Sequence, residues 1–187
     1  MSEAIDELMN EHRLIEKVLD SLEGYVGEIE SGLAADRRTV GDFATFFREF
    51  ADRCHHGKEE DRLFVVMQAH GFPAHAGPLA VMLTEHVEGR RHVGALRGLG
   101  EGSGPVSPEE RRAVIEHASA FIPLLRAHIQ KEDNVLYPMA LRAVPPEVMD
   151  GLHAQFEAFE KDVMGAGAHE RLHALAHSLI AAHRPRA

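Results

Sequence analysis

His55-His56-Gly57-Lys58-Glu59-Glu60-Asp61-Arg62-Leu63-Phe64 and His128-Ile129-Gln130-Lys131-Glu132-Asp133-Asn134-Val135-Leu136-Tyr137 are two copies of one pattern. Aligned without gaps, His, Lys, Glu and Leu coincide, Glu60 stands opposite Asp133, and Phe64 opposite Tyr137. Each copy follows a Glu-His pair. His12 lies 43 residues before His55, and His86 lies 42 before His128. The chain therefore reads as one helical hairpin given twice. If the helices of a hairpin run antiparallel across a short loop, its two histidines reach the same depth.

Working outward, helical periodicity dominates and no alternating strand pattern stands out. A first helix is expected from about Ser2 to Ser31, with apolar Ile5, Leu8, Ile15, Leu19 and Leu22 on one face and Gly32 as its stop. A second starts near Thr39 or Asp42, carries Phe43, Phe46, Phe47 and Phe50, and ends at Ala69 before Gly71 and Pro73. A third runs from Gly77-Pro78 to Leu99. Ser107-Pro108-Glu109-Glu110 is a strong helix start, and a fourth helix runs from it to Ala143, kinked at Pro123. Two shorter helices follow, at Glu147 to Met164 and Ala168 to His183, with a fraying end. Residues 1–143 thus form one unit, and 144–187 an appended pair of helices packing on it.

Within each copy, His and Glu are four apart, one turn along the same helix face. An imidazole nitrogen and a carboxylate oxygen so placed can meet one metal ion, and the second oxygen can reach another. One such pair on a helix is ordinarily a solvated surface feature. Two copies, each with an upstream histidine at matching distance, point to a shared site. Four imidazoles and two carboxylates suit iron, manganese or zinc, and bundle interiors house such sites.

Composition sets limits. The net charge is −10, against non-specific nucleic-acid binding. Cys54 is the single cysteine, which excludes an intrachain disulfide and fits a reducing cytoplasm. No signal peptide or membrane span is read.

These residues resemble the hemerythrin-like, cation-binding family, whose signature is His followed by His-x-x-x-Glu, given twice. The likeness covers about residues 3 to 143, and Phe156 to Leu175 resembles a segment appended in some bacterial members. It implies an all-α, up-down four-helix bundle around two non-haem iron ions. By position, His12, His55, His86 and His128 would be terminal ligands and Glu59 and Glu132 would bridge. Oxygen-carrying members have a further histidine where this chain has Arg90. His92, about 120° from His86 on the helical wheel, is a poor substitute. Expected replacements are Tyr25, Glu160, His169, His173 or solvent. An open position suits a small ligand such as peroxide, oxygen or nitric oxide. An iron or oxygen sensor, or a metal store without turnover, is the competing expectation, as monomer or homodimer.

Other features are read more plainly. His169-Glu170-Arg171-Leu172-His173 matches the zinc-protease pattern but has no accompanying third ligand. His56, about 100° from His55, is expected at the surface or behind the ligands. Glu60 and Asp133 are expected in water, and so are Arg90-Arg91 and Arg111-Arg112. Cys54, Tyr137, Met67, Met82 and Met139 are read as core, and Lys58 and Lys131 as partners of nearby acids.

Overall fold

A computed structural model of the chain describes residues 2–183, and all regular structure among them is helical. The fraying expected at the extreme C-terminus lies outside these residues. Helix α1 is Glu3–Glu30. Helix α2 occupies residues 37–69 and α3 is Gly77–Glu101. Helix α4 occupies residues 108–143, α5 residues 146–164, and α6 is Ala168–Ala182.

The starts follow local chemistry. Asp36 accepts from the Thr39 backbone N–H at 2.9 Å, so α2 begins at Arg37, earlier than the apolar pattern alone indicates. Ser107 and Glu110 form a reciprocal capping box, with Pro108 in the first turn. Gly32, at φ 110°, ends α1 in a backbone region open to glycine. Helix α4 continues without interruption past Pro123. Gly100 and Gly41 meet where α3 crosses α2. A Cβ on Gly100 would stand 2.6 Å from the Gly41 Cα, so only glycine permits the crossing.

Two apolar clusters fill the interior. One joins Ile15 and Leu19 of α1, Phe43, Phe47 and Phe50 of α2, Val93 of α3 and Leu125 and Ile129 of α4. The other joins Leu8 of α1, Leu63 and Phe64 of α2, Met82 of α3 and Leu136 of α4. Helices α1 and α3 pass from the second cluster to the first, and α2 and α4 return. Between the clusters each helix contributes polar residues: His12, His55 and Glu59, His86, His128 and Glu132. Full burial of one Phe or Leu side chain contributes roughly 1.5–3 kcal/mol. The many such residues on both sides offset the several kcal/mol per ion that burying charge costs.

The appended helices close one side. Leu152 and Phe156 of α5 join the second cluster, and Leu172, Ala176 and Leu179 of α6 the first. Phe159 lies over Gly57, where a Cβ would come within 2.6 Å of its ring. Arg90 and Arg111, expected in water, have structural partners. Arg90 bonds Asp52 and Glu60, and Arg111 donates to the Ile29 carbonyl at the end of α1.

Candidate metal centre

Both motif glutamates open a π turn. Helix α2 is π-helical over Phe47–His56 and Glu59–Leu63, and α4 over Glu132–Leu136. Such widened turns inside α-helices concentrate at functional sites.

The six principal residues are all buried, with Glu59 and Glu132 fully so. The four histidine Nε2 atoms face the carboxylates. Glu132 Oε2 lies 3.2 Å from His12 and its Oε1 3.0 Å from His128, so this carboxylate spans both hairpins. Glu59 Oε2 lies 3.5 Å from His86 and 3.9 Å from His55. His86 and His128 approach to 3.1 Å through their Nε2 atoms.

Four outer carboxylates hold the opposite nitrogens. Glu11 meets His55 Nδ1 at 2.8 Å and Glu85 meets His128 Nδ1 at 2.9 Å, each within a hairpin. Glu60 meets His86 Nδ1 at 2.6 Å and Asp133 meets His12 Nδ1 at 2.7 Å, each between hairpins. The four bonds close a ring through α1, α2, α3 and α4. A carboxylate on Nδ1 fixes the tautomer that leaves Nε2 as the donor toward a metal. Glu60 and Asp133 therefore hold site histidines, where their wheel position had indicated water alone. That position, one step off the ligand face, is where the neighbouring helix delivers its histidine.

Behind Glu11 sits Lys58, with no exposed side-chain surface. Its Nζ donates to Glu7 and Glu11 at 2.6 Å and to Glu160 at 2.8 Å. Lys131, half-exposed, donates to Glu85. Both lysines pair with acids as expected. Burial pushes the Glu11 carboxyl up to about 7, against the pull of Lys58.

Tyr137, read as core, also belongs to the site. Its hydroxyl donates to Glu59 Oε1 at 2.8 Å and lies 3.4 Å from His12 Nε2. The signal was present in the repeat, where Phe64 lacks the hydroxyl that Tyr137 carries. His56 is buried, stacked on His86 with centroids 3.8 Å apart, and its Nδ1 faces Asp52 at 3.3 Å.

The remaining expected replacements lie elsewhere. Tyr25 bonds the Asp36 backbone and packs against Phe43, inside the first apolar cluster. Glu160 and His169 form a separate group with Glu11, behind the histidine ring. His173 packs beside His169 and Phe50. Cys54 is buried 3.6 Å from Glu160, and burial pushes its thiol far above the usual range, which suits a packing role.

The electrostatics of the cavity are strained. Burial and the neighbouring Glu132 charge hold Glu59 well above the usual carboxylate range. Burial also opposes ionisation of Glu132, but His128 and His12 hold it well below that range. Burial disfavours the His128 imidazolium, yet Glu132 and Glu85 raise it to about 9. Burial pushes His55 well down.

The donor set fits a metal pair. His55 Nε2, Glu59 Oε2 and both Glu132 oxygens are buried without a hydrogen-bond partner. Buried polar atoms are ordinarily paired, and such a group of orphans facing one another asks for cations. One donor atom each from His12, His55 and Glu132 gathers within 4.8 Å, and a second group forms around Glu59, His86 and His128.

A duplicated imidazole–carboxylate belt between four helices defines a helical cation-binding domain. The chain belongs to the hemerythrin family: the hemerythrin HHE cation binding domain matches residues 3–140. It is also similar to proteins named "Iron-sulfur cluster repair protein YtfE". The protein from Pectobacterium atrosepticum is 36% identical over 92 residues, covering 46% of this chain and 41% of that protein. The one from Musicola paradisiaca is 34% identical over 90 residues, covering 47% and 40%. The match thus spans about two fifths of these relatives' length. No solved structure matches the chain.

Proposed function

We propose that this chain is a non-haem di-iron protein that binds or reacts with a small oxidant: peroxide, oxygen or nitric oxide. His12 and His55 would hold one ion, His86 and His128 the other, with Glu59 and Glu132 between them. The donor set would also accept manganese or zinc. The division proposed with it is an up-down four-helix bundle over residues 1–143 and an appended segment, 144–187, whose described helices at 146–164 and Ala168–Ala182 pack on the same domain. The observation that carries the reading is the convergence of four Nε2 atoms on buried, otherwise partnerless carboxylate oxygens.

Iron, if bound by these residues, would supply a redox-active Lewis acid for a small ligand. The chain supplies the rest. The outer carboxylates set the imidazole tautomers. The Tyr137 hydroxyl holds a proton at Glu59 Oε1. A cavity of about 170 Å³ reaches His56, His86 and His128 between Phe47, Gly89, Val93 and Phe121. Its size and largely apolar walls would admit a diatomic molecule or peroxide.

The test is elemental analysis with an absorption spectrum of protein made in iron-replete cells. Two irons per chain and the near-ultraviolet bands of a coupled ferric pair are expected. In His55→Ala or His128→Ala most of one iron should be lost, and full occupancy in both refutes the assignment. Rapid peroxide loss, abolished in Glu59→Ala or Glu132→Ala, identifies turnover.

A second reading follows from the relatives' name: iron held here would be exchanged with an iron-sulfur cluster. A sensor or store without turnover is the remaining form. Inertness to peroxide and nitric oxide, with unfolding on chelation, favours it. No described helix is long and apolar enough to cross a membrane. A cytoplasmic monomer or homodimer is the proposed setting.

A further inference from the structure

The two halves of the centre are not equivalent. On the His12–His55 side the extra polar group is the Tyr137 hydroxyl. On the His86–His128 side it is a fifth imidazole, His56. We propose that His56 is a metal ligand on that side alone, and that Arg90 positions it through Asp52. The proposal rests on the di-metal reading above.

Four observations carry it. The His56 ring is buried in the wall of the site, edge-on to His128 with centroids 5.5 Å apart, and binding the ion of His86 requires it to tilt off the 15° stack it makes on that ring. One donor atom each of His56, Glu59, His86 and His128 falls within a 4.8 Å group, the spread expected around one cation. Its Nδ1 faces Asp52, the same carboxylate-on-Nδ1 arrangement that each of the other four site histidines has. That leaves Nε2 as its metal-facing atom.

The fourth is Arg90. Its Nε donates to Asp52 at 2.8 Å and its Nη2 to Glu60 at 2.7 Å. One guanidinium thus grips the carboxylates behind both His56 and His86, using the fixed fork of arginine to set two imidazoles at once. The repeat supplies an internal control. The residue matching His56 is Ile129, in the apolar core, and the one matching Arg90 is Glu16, paired with Arg13. Where the arginine is missing the extra histidine is missing too.

A stacked histidine that only walls the cavity would look similar in outline, so the experiment must count ligands. The metal-free full chain is titrated with Co²⁺, and hyperfine-shifted exchangeable N–H signals are counted by proton NMR. Each imidazole bound through Nε2 with its Nδ1 protonated gives one. The wild type should bind two Co²⁺ and show one more such signal than His12, His55, His86 and His128 account for. His56→Gln should lose that signal and weaken one of the two Co²⁺ affinities by at least the ~10-fold that removal of an outer partner costs. Asp52→Asn and Arg90→Ala should keep the ion count and weaken the same affinity by about 10-fold.

A His56→Gln protein with both affinities and every shifted signal intact overturns the assignment while the di-metal reading stands. A wild type that takes up no Co²⁺ overturns that reading instead, and this one with it. Should His56→Gln fail to fold by circular dichroism, the wild-type signal count decides alone: five supports the ligand and four removes it.

Discussion

Substituting Lys58→Met removes an ammonium with no solvent exposure that three carboxylates share. The thioether chain fills nearly the same volume, so packing changes little. What changes is that Glu11, buried and bonded to His55 Nδ1, is left as an uncompensated anion. Stranding one partner of a buried ion pair costs about 3–5 kcal/mol. Glu7 and Glu160 are about a quarter exposed, and water replaces part of what they lose, so the lower end, about 3 kcal/mol, is expected. For a chain of this size that is roughly a 6–12 °C fall in Tm.

The assay is urea and thermal unfolding of the metal-free protein. Adding Glu11→Gln to Lys58→Met should recover most of the loss, because the stranded charge is then gone. The pH dependence fixes the cause. Burial already raises the Glu11 carboxyl to about 7, and losing Lys58 raises it further. A carboxyl raised by folding favours the folded state below its unfolded value and loses that contribution as pH rises through the folded value. The deficit should therefore be largest above about pH 7 and shrink toward about pH 5. A loss under about 1 kcal/mol, or a deficit that grows on acidification, refutes the reasoning.

Tyr137→Phe leaves a buried Glu59 oxygen without its donor and should cost about 1–3 kcal/mol in urea unfolding of metal-free protein. Gly57→Ala forces a Cβ against the Phe159 ring and should cost about 1–3 kcal/mol. It should also hasten proteolysis between α4 and α6, and Phe159→Leu should relieve both effects. Asp36→Ala removes the α2 cap and should lower stability by about 1 kcal/mol at neutral pH. Bonding to the Thr39 N–H lowers the Asp36 pKa, so its contribution exists above the unfolded value and fades as pH falls through the folded one.

The spacing of His12, His55, Glu59, His86, His128 and Glu132 made the helical hairpins and the convergence of these side chains legible, because i,i+4 placement is a property of one helix. The second layer was not legible, because it depends on which helices become neighbours. Glu11 and Glu85 stood in the motif without a role, and Glu60 and Asp133 looked solvated until a second helix arrived beside them. The surface alternative for His56 fails for another reason. Wheel angles assume α geometry, but Phe47–His56 is π-helical, where each residue turns through less than 100°. Gly57 had no rationale in the sequence either. The need for it comes from Phe159, about a hundred positions away, whereas its counterpart Gln130 is exposed.

The four carboxylate–imidazole bonds map onto themselves when the hairpins are exchanged: Glu11–His55 with Glu85–His128, and Asp133–His12 with Glu60–His86. Both glutamates that face the cavity also begin the same widened turn. This is the bond pattern that two copies of one hairpin would make as a homodimer, with residues 70–76 joining them. A lone hairpin would leave two of these bonds open and half the cavity unlined. Joined in one chain, the halves need not match, and they differ in Tyr137 against Phe64 and His56 against Ile129.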